Sequence, residues 1–202
     1  MPASRPATAV GSVAERKREL RKEMRAIRVA IAVDPVQRAA RSGRIWERIV
    51  TIAELDVDRL VAAADRVPVR RVMLFDGLAT EPDTGSWLAW CGARELGVFT
   101  PRVDGADLRV VPGDVDPQLL DVVVVPGLAF TVDGRRVGQG GGHYDRFLPR
   151  LREDCLTIGA CFAEQVVADV PIEPHDQRVD AVATDAPEVL PPGRGSPHPR
   201  MP

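Results

Sequence analysis

Aromatic side chains are scarce. They make up 4% of the 202 residues, and no cluster of them offers the stacking platform that single-stranded nucleic acid requires. Cysteine is scarcer still: Cys91, Cys155 and Cys161 have neither metal nor redox spacing, so they read as buried or incidental thiols of a reducing compartment. No run of 18 apolar residues occurs, which excludes a spanning helix, and the N-terminus lacks the apolar core of a signal peptide. Internal repeats are absent as well. With 45% hydrophobic and 28% charged residues, the chain reads as a soluble, cytoplasmic protein of one domain, long enough to bury a real core.

What charge there is lies unevenly. The net charge of −2 hides eleven Lys/Arg against five acids between Val13 and Arg48. Within that stretch Val13–Ala32 predicts a helix with Leu20, Met24, Ile27 and Ile31 on one stripe. Lys17 and Arg21 stand four apart and repel each other on the helix surface. An anion between them would relieve the repulsion; a solvated basic face is the plainer alternative. Met1–Ser12 reads as a disordered leader, residues 13–186 as a single domain, and 187–202, with six prolines, as a disordered tail.

The stretch that organises the chain is Asp121–Leu148. Val122–Val125 are four β-branched residues without polar alternation, a strand buried on both faces as in a parallel sheet. Pro126-Gly127 ends it. Beyond lie Arg135 and Arg136, then Gly138-Gln139-Gly140-Gly141-Gly142, then a helix predicted from Tyr144 to about Arg152. A glycine loop opening a helix presents free backbone N–H groups, which suit phosphate. The glycine interval is not the dinucleotide fingerprint, and no Lys-Ser/Thr follows to make a P-loop.

Around this centre, strands alternate with helices. Asp34-Pro35 starts a second helix running to about Glu54, with a short extra helix or loop over Asp56–Val67 closed by Pro68. Strands are predicted at Val69–Phe75, at Val98–Val103 (interrupted by Pro101, hence at a sheet margin), at Leu156–Phe162 and at Arg178–Thr184. A further helix is predicted over Thr84–Leu96, with Asp83 or Thr84 capping it. The pattern is α/β: three layers, α/β/α, around a mainly parallel central sheet. In such sheets ligands sit beyond the carboxyl ends of the strands, where the Glu81 loop and the glycine loop both open.

The run PGLAF…G.R.G.GGG.YDRFL, Pro126–Leu148, resembles the signature of the 5-formyltetrahydrofolate cyclo-ligase (5,10-methenyltetrahydrofolate synthetase) family, and the resemblance extends from about Arg16 to Thr184. It implies ATP-dependent cyclisation of 5-formyltetrahydrofolate to 5,10-methenyltetrahydrofolate, with release of ADP and phosphate. ATP and a reduced folate would be the partners, Mg²⁺ the cofactor, and the chain a monomer that needs neither nucleic acid nor membrane. By the same resemblance, Lys17, Arg21, Arg136, Gly138, Gly140, Gly141, Gly142, His143 and Tyr144 would bind ATP, Lys17 and Arg21 through a KRELR element like the family's. Arg136, Tyr144 and Asp145 would be catalytic. Asp145 and Asp180 would bind Mg²⁺, Asp180 lying in a V-D-x-V strand. Asp76, Glu81, Glu164 and Gln165 would contact the folate.

Four departures stand out against the family pattern. His143 replaces a Tyr, Thr131 an Asp, and Asp76 an apolar residue. Between Val103 and Asp121 lie 17 residues, fewer than the family commonly carries over the folate side. The shortened segment motivates another reading, an ATP-dependent ligase or phosphotransferase on another small molecule; a non-catalytic paralogue that binds nucleotide or folate is a further alternative.

Overall fold

The computed structural model describes residues 11–62 and 71–186, with side chains over 11–53 and 71–186. Most of the expected leader, the Pro-rich tail and residues 63–70, including Pro68 and the start of the first strand, lie outside the described residues. Ser12, expected in the leader, instead caps the first helix, α1 (Val13–Ala32). Its Oγ accepts from Glu15 N at 3.2 Å while Glu15 Oε2 accepts from Ser12 N at 2.8 Å, a reciprocal capping box. Asp34 Oδ1 accepts from the N–H groups of Val36 and Gln37 at 3.0 and 2.9 Å. Helix α2 (Pro35–Ala62) starts there and continues past Glu54, so the predicted break before Asp56 is not made.

Five parallel strands form the body of the sheet: β1 (Arg71–Met73), β2 (Gly97–Asp104), β4 (Val122–Pro126), β7 (Leu156–Ala160) and β8 (Ala181–Ala183). A sixth strand, β3 (Asp107–Val111), runs antiparallel beside β2, and the order across the sheet is β3-β2-β1-β4-β7-β8. Strand β3 falls in the shortened segment, where no strand was expected; its alternate residues Leu108 and Val110 are buried. Pro101 does not interrupt β2. Pairing with β1 ends at Met73↔Phe99, so beyond that point β2 has a ladder partner on the β3 side and a missing donor breaks no second ladder.

Valines 122–125 pass between β1 and β7 with at most 2% exposure. Val122 and Val124 pack with Ile45, Ile49, Trp87 and Phe162 beneath α2 and helix α3 (Gly85–Ala93). Val123 and Val125 pack on the opposite face with Phe130, Phe147 and Leu148. Burying each valine contributes about 1.5–3 kcal/mol. The second face is covered by α4 (His143–Phe147), a 3₁₀ turn at Leu148–Arg150, and the antiparallel pair β5 (Ala129–Phe130) and β6 (Arg136–Val137). The helix predicted to Arg152 thus stops at Phe147, because Pro149 cannot donate the next helical hydrogen bond. Phe130 sets how closely this layer sits: a Cβ on Gly159 would lie 2.5 Å from its ring.

Helix α1 lies across this arrangement. Met24 packs on Leu128, Ala129 and Val137, and Ile31 joins the cluster beneath α2. One helix therefore touches both the β5–β6 pair and the main core.

Candidate active site

Strand order reverses direction between β1 and β4: from β1 the chain builds outward to β2 and β3, and from β4 outward to β7 and β8. Such a switch point leaves a crevice at the carboxyl ends of the two strands. Here it holds a cleft of about 340 Å³, of the size that takes small molecules. Phe75 and Asp76 line it from the end of β1, Pro126 and Gly127 from the end of β4. Lys17, Arg21, Glu81, Arg136, the glycine loop, His143, Tyr144 and Asp145 line it as well.

Helix α1 and the glycine loop make one wall. Arg21 Nε donates to Gly138 O at 3.0 Å, and Arg25 donates to Gln139 O at 3.2 Å. Gly142 has φ 66°, and a Cβ there would meet Arg146 at 2.7 Å, so this position before α4 needs glycine. His143 Nδ1 lies 2.9 Å from Ala106 O, to which Arg146 Nε also donates at 2.9 Å. The β2–β3 turn is thereby tied to the glycine loop, and Pro101, Val103 and Leu108 of that hairpin join the cleft lining.

Arg136 stands at the centre. It is 5% exposed, donates to Asp145 Oδ1 at 2.8 Å, and lies 5.8 Å from the centroid of the Tyr144 ring. Burial pulls its pKa down, and the Asp145 carboxylate opposes that pull. Burial likewise pushes the Tyr144 phenol up, with Arg136 opposing, so the phenol stays protonated and is a donor at neutral pH. Arg136 Nε and the Tyr144 hydroxyl are both buried without a hydrogen-bond partner among the described residues. Unsatisfied buried donors are costly, and two of them beside a glycine loop fit an anionic ligand.

Lys17 meets a different fate from the one its spacing suggested. It is 5% exposed, and its Nζ lies 2.7 Å from Glu173 Oε2 and 2.5 Å from Asp176 Oδ2. The anion beside it is thus the chain's own 173–176 loop. That loop also reaches Asp145, whose Oδ1 accepts from Gln177 N at 3.1 Å. Glu173, His175 and Asp176 have ligand atoms within 4.8 Å of one another.

Several expected site residues lie elsewhere. Asp180 does not line the cleft. It precedes β8, at the opposite end of the parallel strands, and its Oδ2 accepts from Thr157 N and Oγ1 at 2.7 and 2.6 Å. Asp176 does line the cleft, together with Asp145. Gln165 is 1% exposed and spends its amide on Phe162 N (3.0 Å), Gly127 O (3.1 Å) and Leu128 O (2.9 Å), a clamp beneath the cleft. Glu164 pairs with Arg41 of α2 and is likewise outside the lining. Arg135 is held by Asp133 and Asp169 at 3.0 and 2.7 Å, away from the cleft.

Asp76 and Glu81 do reach the cleft. Glu81 is 6% exposed, and its Oε2 accepts from Leu78 N at 3.0 Å. Its Oε1 lies 3.1 Å from Arg28 NH1. Arg28, 2% exposed, was not singled out in the sequence. The available signal was spacing, since Arg28 follows Met24 by four and precedes Ile31 by three, on the inward stripe of α1.

Residues 108–185 match the 5-formyltetrahydrofolate cyclo-ligase family. That stretch holds the glycine loop, Arg136, Tyr144, Asp145 and Asp176, so the cyclo-ligase resemblance first drawn from Pro126–Leu148 stands. The chain is 40% identical over 73 residues to the 5-formyltetrahydrofolate cyclo-ligase of Saccharomyces cerevisiae, covering 33% of this chain and 35% of that one. To the Mus musculus cyclo-ligase it is 39% identical over 67 residues, 31% and 33% of the two chains. The match therefore spans about a third of the length of these curated relatives. In three dimensions the chain superposes on the 5,10-methenyltetrahydrofolate synthetase of Mycoplasma pneumoniae with a TM-score of 0.69 at 21% identity, over 84% of this chain and 99% of that one. The corresponding synthetase of Aquifex aeolicus gives 0.69 at 24%, over 89% and 95%. At these identities the likeness is one of fold.

Proposed function

We propose that the chain catalyses ATP-dependent ring closure of 5-formyltetrahydrofolate to 5,10-methenyltetrahydrofolate. The observation that carries this reading is the pair of unpartnered buried donors, Arg136 Nε and the Tyr144 hydroxyl, beside the glycine loop in the stretch that matches the cyclo-ligase family. A formyl amide is a poor electrophile. In the proposed sequence its oxygen attacks the γ-phosphorus of ATP and ADP leaves, which makes an iminium phosphate. The second folate nitrogen then attacks that carbon, and phosphate departs as the ring closes.

Little covalent chemistry falls to the protein, so its work is positioning and charge neutralisation. Arg136, oriented by Asp145, offers Nε to a phosphate oxygen, and Tyr144 donates its phenolic proton as a second hydrogen bond. Gly140–Gly142 line the same cleft, where their backbone N–H groups would serve phosphate, and Arg21 adds positive charge, whereas that of Lys17 is met by Glu173 and Asp176. Glu81 receives hydrogen-bond donors of the folate, with Asp76 beside it. Asp145 and Asp176, with Glu173 adjacent, would hold Mg²⁺; hard carboxylate oxygens of this number suit it, because phosphate and water complete its shell. When bound, it would neutralise charge on the transferring phosphoryl group.

The reading includes a monomer in the cytoplasm with ATP and a reduced folate as partners. Among the described residues no helix is long and apolar enough to cross a membrane. The test is formation of methenyltetrahydrofolate from 5-formyltetrahydrofolate, followed by absorbance with and without Mg-ATP. ATP-dependent product is the expected result; none, from protein that binds ATP, overturns it. The hairpin wall made by the short 104–120 segment favours one second reading, the same phosphoryl chemistry on a different small acceptor. Substrate-dependent ATP hydrolysis across a panel of acceptors distinguishes the two.

A further inference from the structure

Arg28 is an expensive residue to bury. It lies on the inward stripe of α1 between Met24 and Ile31, where an apolar side chain would pack at no electrostatic cost, yet it is 2% exposed. Burial pulls its pKa down and the Glu81 carboxylate opposes that. Its guanidinium grips two consecutive residues: Nε donates to Thr80 O at 3.2 Å, NH2 to Thr80 Oγ1 at 2.7 Å, and NH1 lies 3.1 Å from Glu81 Oε1. That last approach is an ion pair without hydrogen-bond alignment, and among the described residues the buried NH1 has no hydrogen-bond partner. From the other side, Leu78 N donates to Glu81 Oε2 at 3.0 Å and Arg38 of α2 donates to Glu81 O at 2.9 Å.

We propose that Arg28 is a positioning residue for the substrate wall: it acts through Glu81, fixing the carboxylate that receives the substrate's donors. The proposal rests on the reading of Glu81 as a substrate contact. A role in stability alone is the weaker account, because a buried ion pair adds little over an apolar pair of similar size. Orientation is what a planar fork supplies and an apolar side chain does not. With Leu78 N on Oε2 and the Arg28 ion pair on Oε1, Glu81 keeps acceptor capacity for N–H groups of a ligand.

The experiment is steady-state kinetics with 5-formyltetrahydrofolate and Mg-ATP on wild type, R28K, R28M, E81Q and the double variant R28M/E81Q. R28M is expected to raise KM for the folate about tenfold or more, as loss of a supporting partner does. KM for ATP should stay within about twofold. R28K, which keeps the charge and loses the fork, falls between. The double variant loses no more than E81Q alone, since Arg28 then has nothing to position. Losses that multiply, or equal shifts in both KM values, overturn the role. Should R28M fail to fold, R28K and the double variant, which strands no carboxylate, carry the same comparison. Wild-type protein with no turnover overturns the functional reading and this role with it; turnover with multiplicative losses overturns the role of Arg28 alone.

Discussion

The two walls of the cleft are built on different principles. The phosphate wall is nearly continuous in sequence: Arg136, the glycine loop, Tyr144 and Asp145 lie within ten consecutive residues, and α1 braces them from outside. The opposite wall is assembled from distant pieces. Glu81 follows β1, Arg28 reaches it from α1, Arg38 from α2, and the β2–β3 hairpin closes the side. A wall made by one loop depends on local backbone geometry. A wall made by four elements depends on packing and on buried charge, and it meets the first through α1 and the hairpin turn at Ala106.

The largest effect expected from this contrast is at Arg136. R136M removes the unpartnered Nε and the charged partner of Asp145, so kcat/KM should fall about 10²–10³-fold, as loss of one oriented donor does. R136K, with charge and no fork, should recover part of it. Initial rates over a range of ATP concentrations provide the check. An R136M variant with wild-type kcat/KM would mean that the phosphate wall is not where the chemistry is organised.

The Mg²⁺ assignment sharpens the same wall. D176N should raise the Mg²⁺ concentration needed for half-maximal rate about tenfold, and D180N should leave it unchanged, because Asp180 is occupied with Thr157 at the far end of the sheet. Titrating Mg²⁺ at saturating ATP measures both. The opposite order would restore the V-D-x-V aspartate as a metal ligand.

These two variants also mark how far the sequence could be read. The central valine strand, the parallel sheet and the glycine loop were legible because each is a local signal: unbroken β-branched residues, Pro-Gly, glycines before a helix. Asp145 was legible for the same reason. Asp176 and Asp180 were not separable, since both lie in one polar segment and only the start of β8 decides which end of the sheet each occupies. The family resemblance assigns Glu164 and Gln165 to the cleft; a turn of 3₁₀ backbone, Ala163–Gln165, directs Gln165 into the floor and Glu164 toward Arg41. Arg28 did carry a spacing signal, on the inward stripe of α1, but its charge on so basic a helix pointed to the solvent face instead.

Gln165 offers a test of floor against wall. Q165A leaves Phe162 N and two carbonyls under the cleft without their partner, which should cost about 1–3 kcal/mol of stability. Denaturant unfolding would register that loss, while KM for the folate stays within about twofold. A large rise in KM with unchanged stability would return Gln165 to the folate wall.

The smallest effect concerns a brace outside the cleft. Arg41 joins α2 to the residues after β7 and β8 by donating to Glu164 and Asp185. Its hydrogen bond holds the Glu164 carboxyl below its ordinary value. Burial pushes Asp185 up, but hydrogen bonds from Arg41 and Ala163 N outweigh burial and leave it lowered too. Because both carboxyls are depressed in the folded chain, the unfolded chain binds protons first as pH falls. The stability they contribute is complete above about pH 5 and drains away below it as each folded value is crossed. Thermal unfolding from pH 7 to pH 3 should show that acid limb in wild type and a shallower one in R41M, which starts from a lower melting temperature. Parallel limbs would assign the acid sensitivity to other carboxylates, and Glu164 would then be free to serve the cleft rather than the brace.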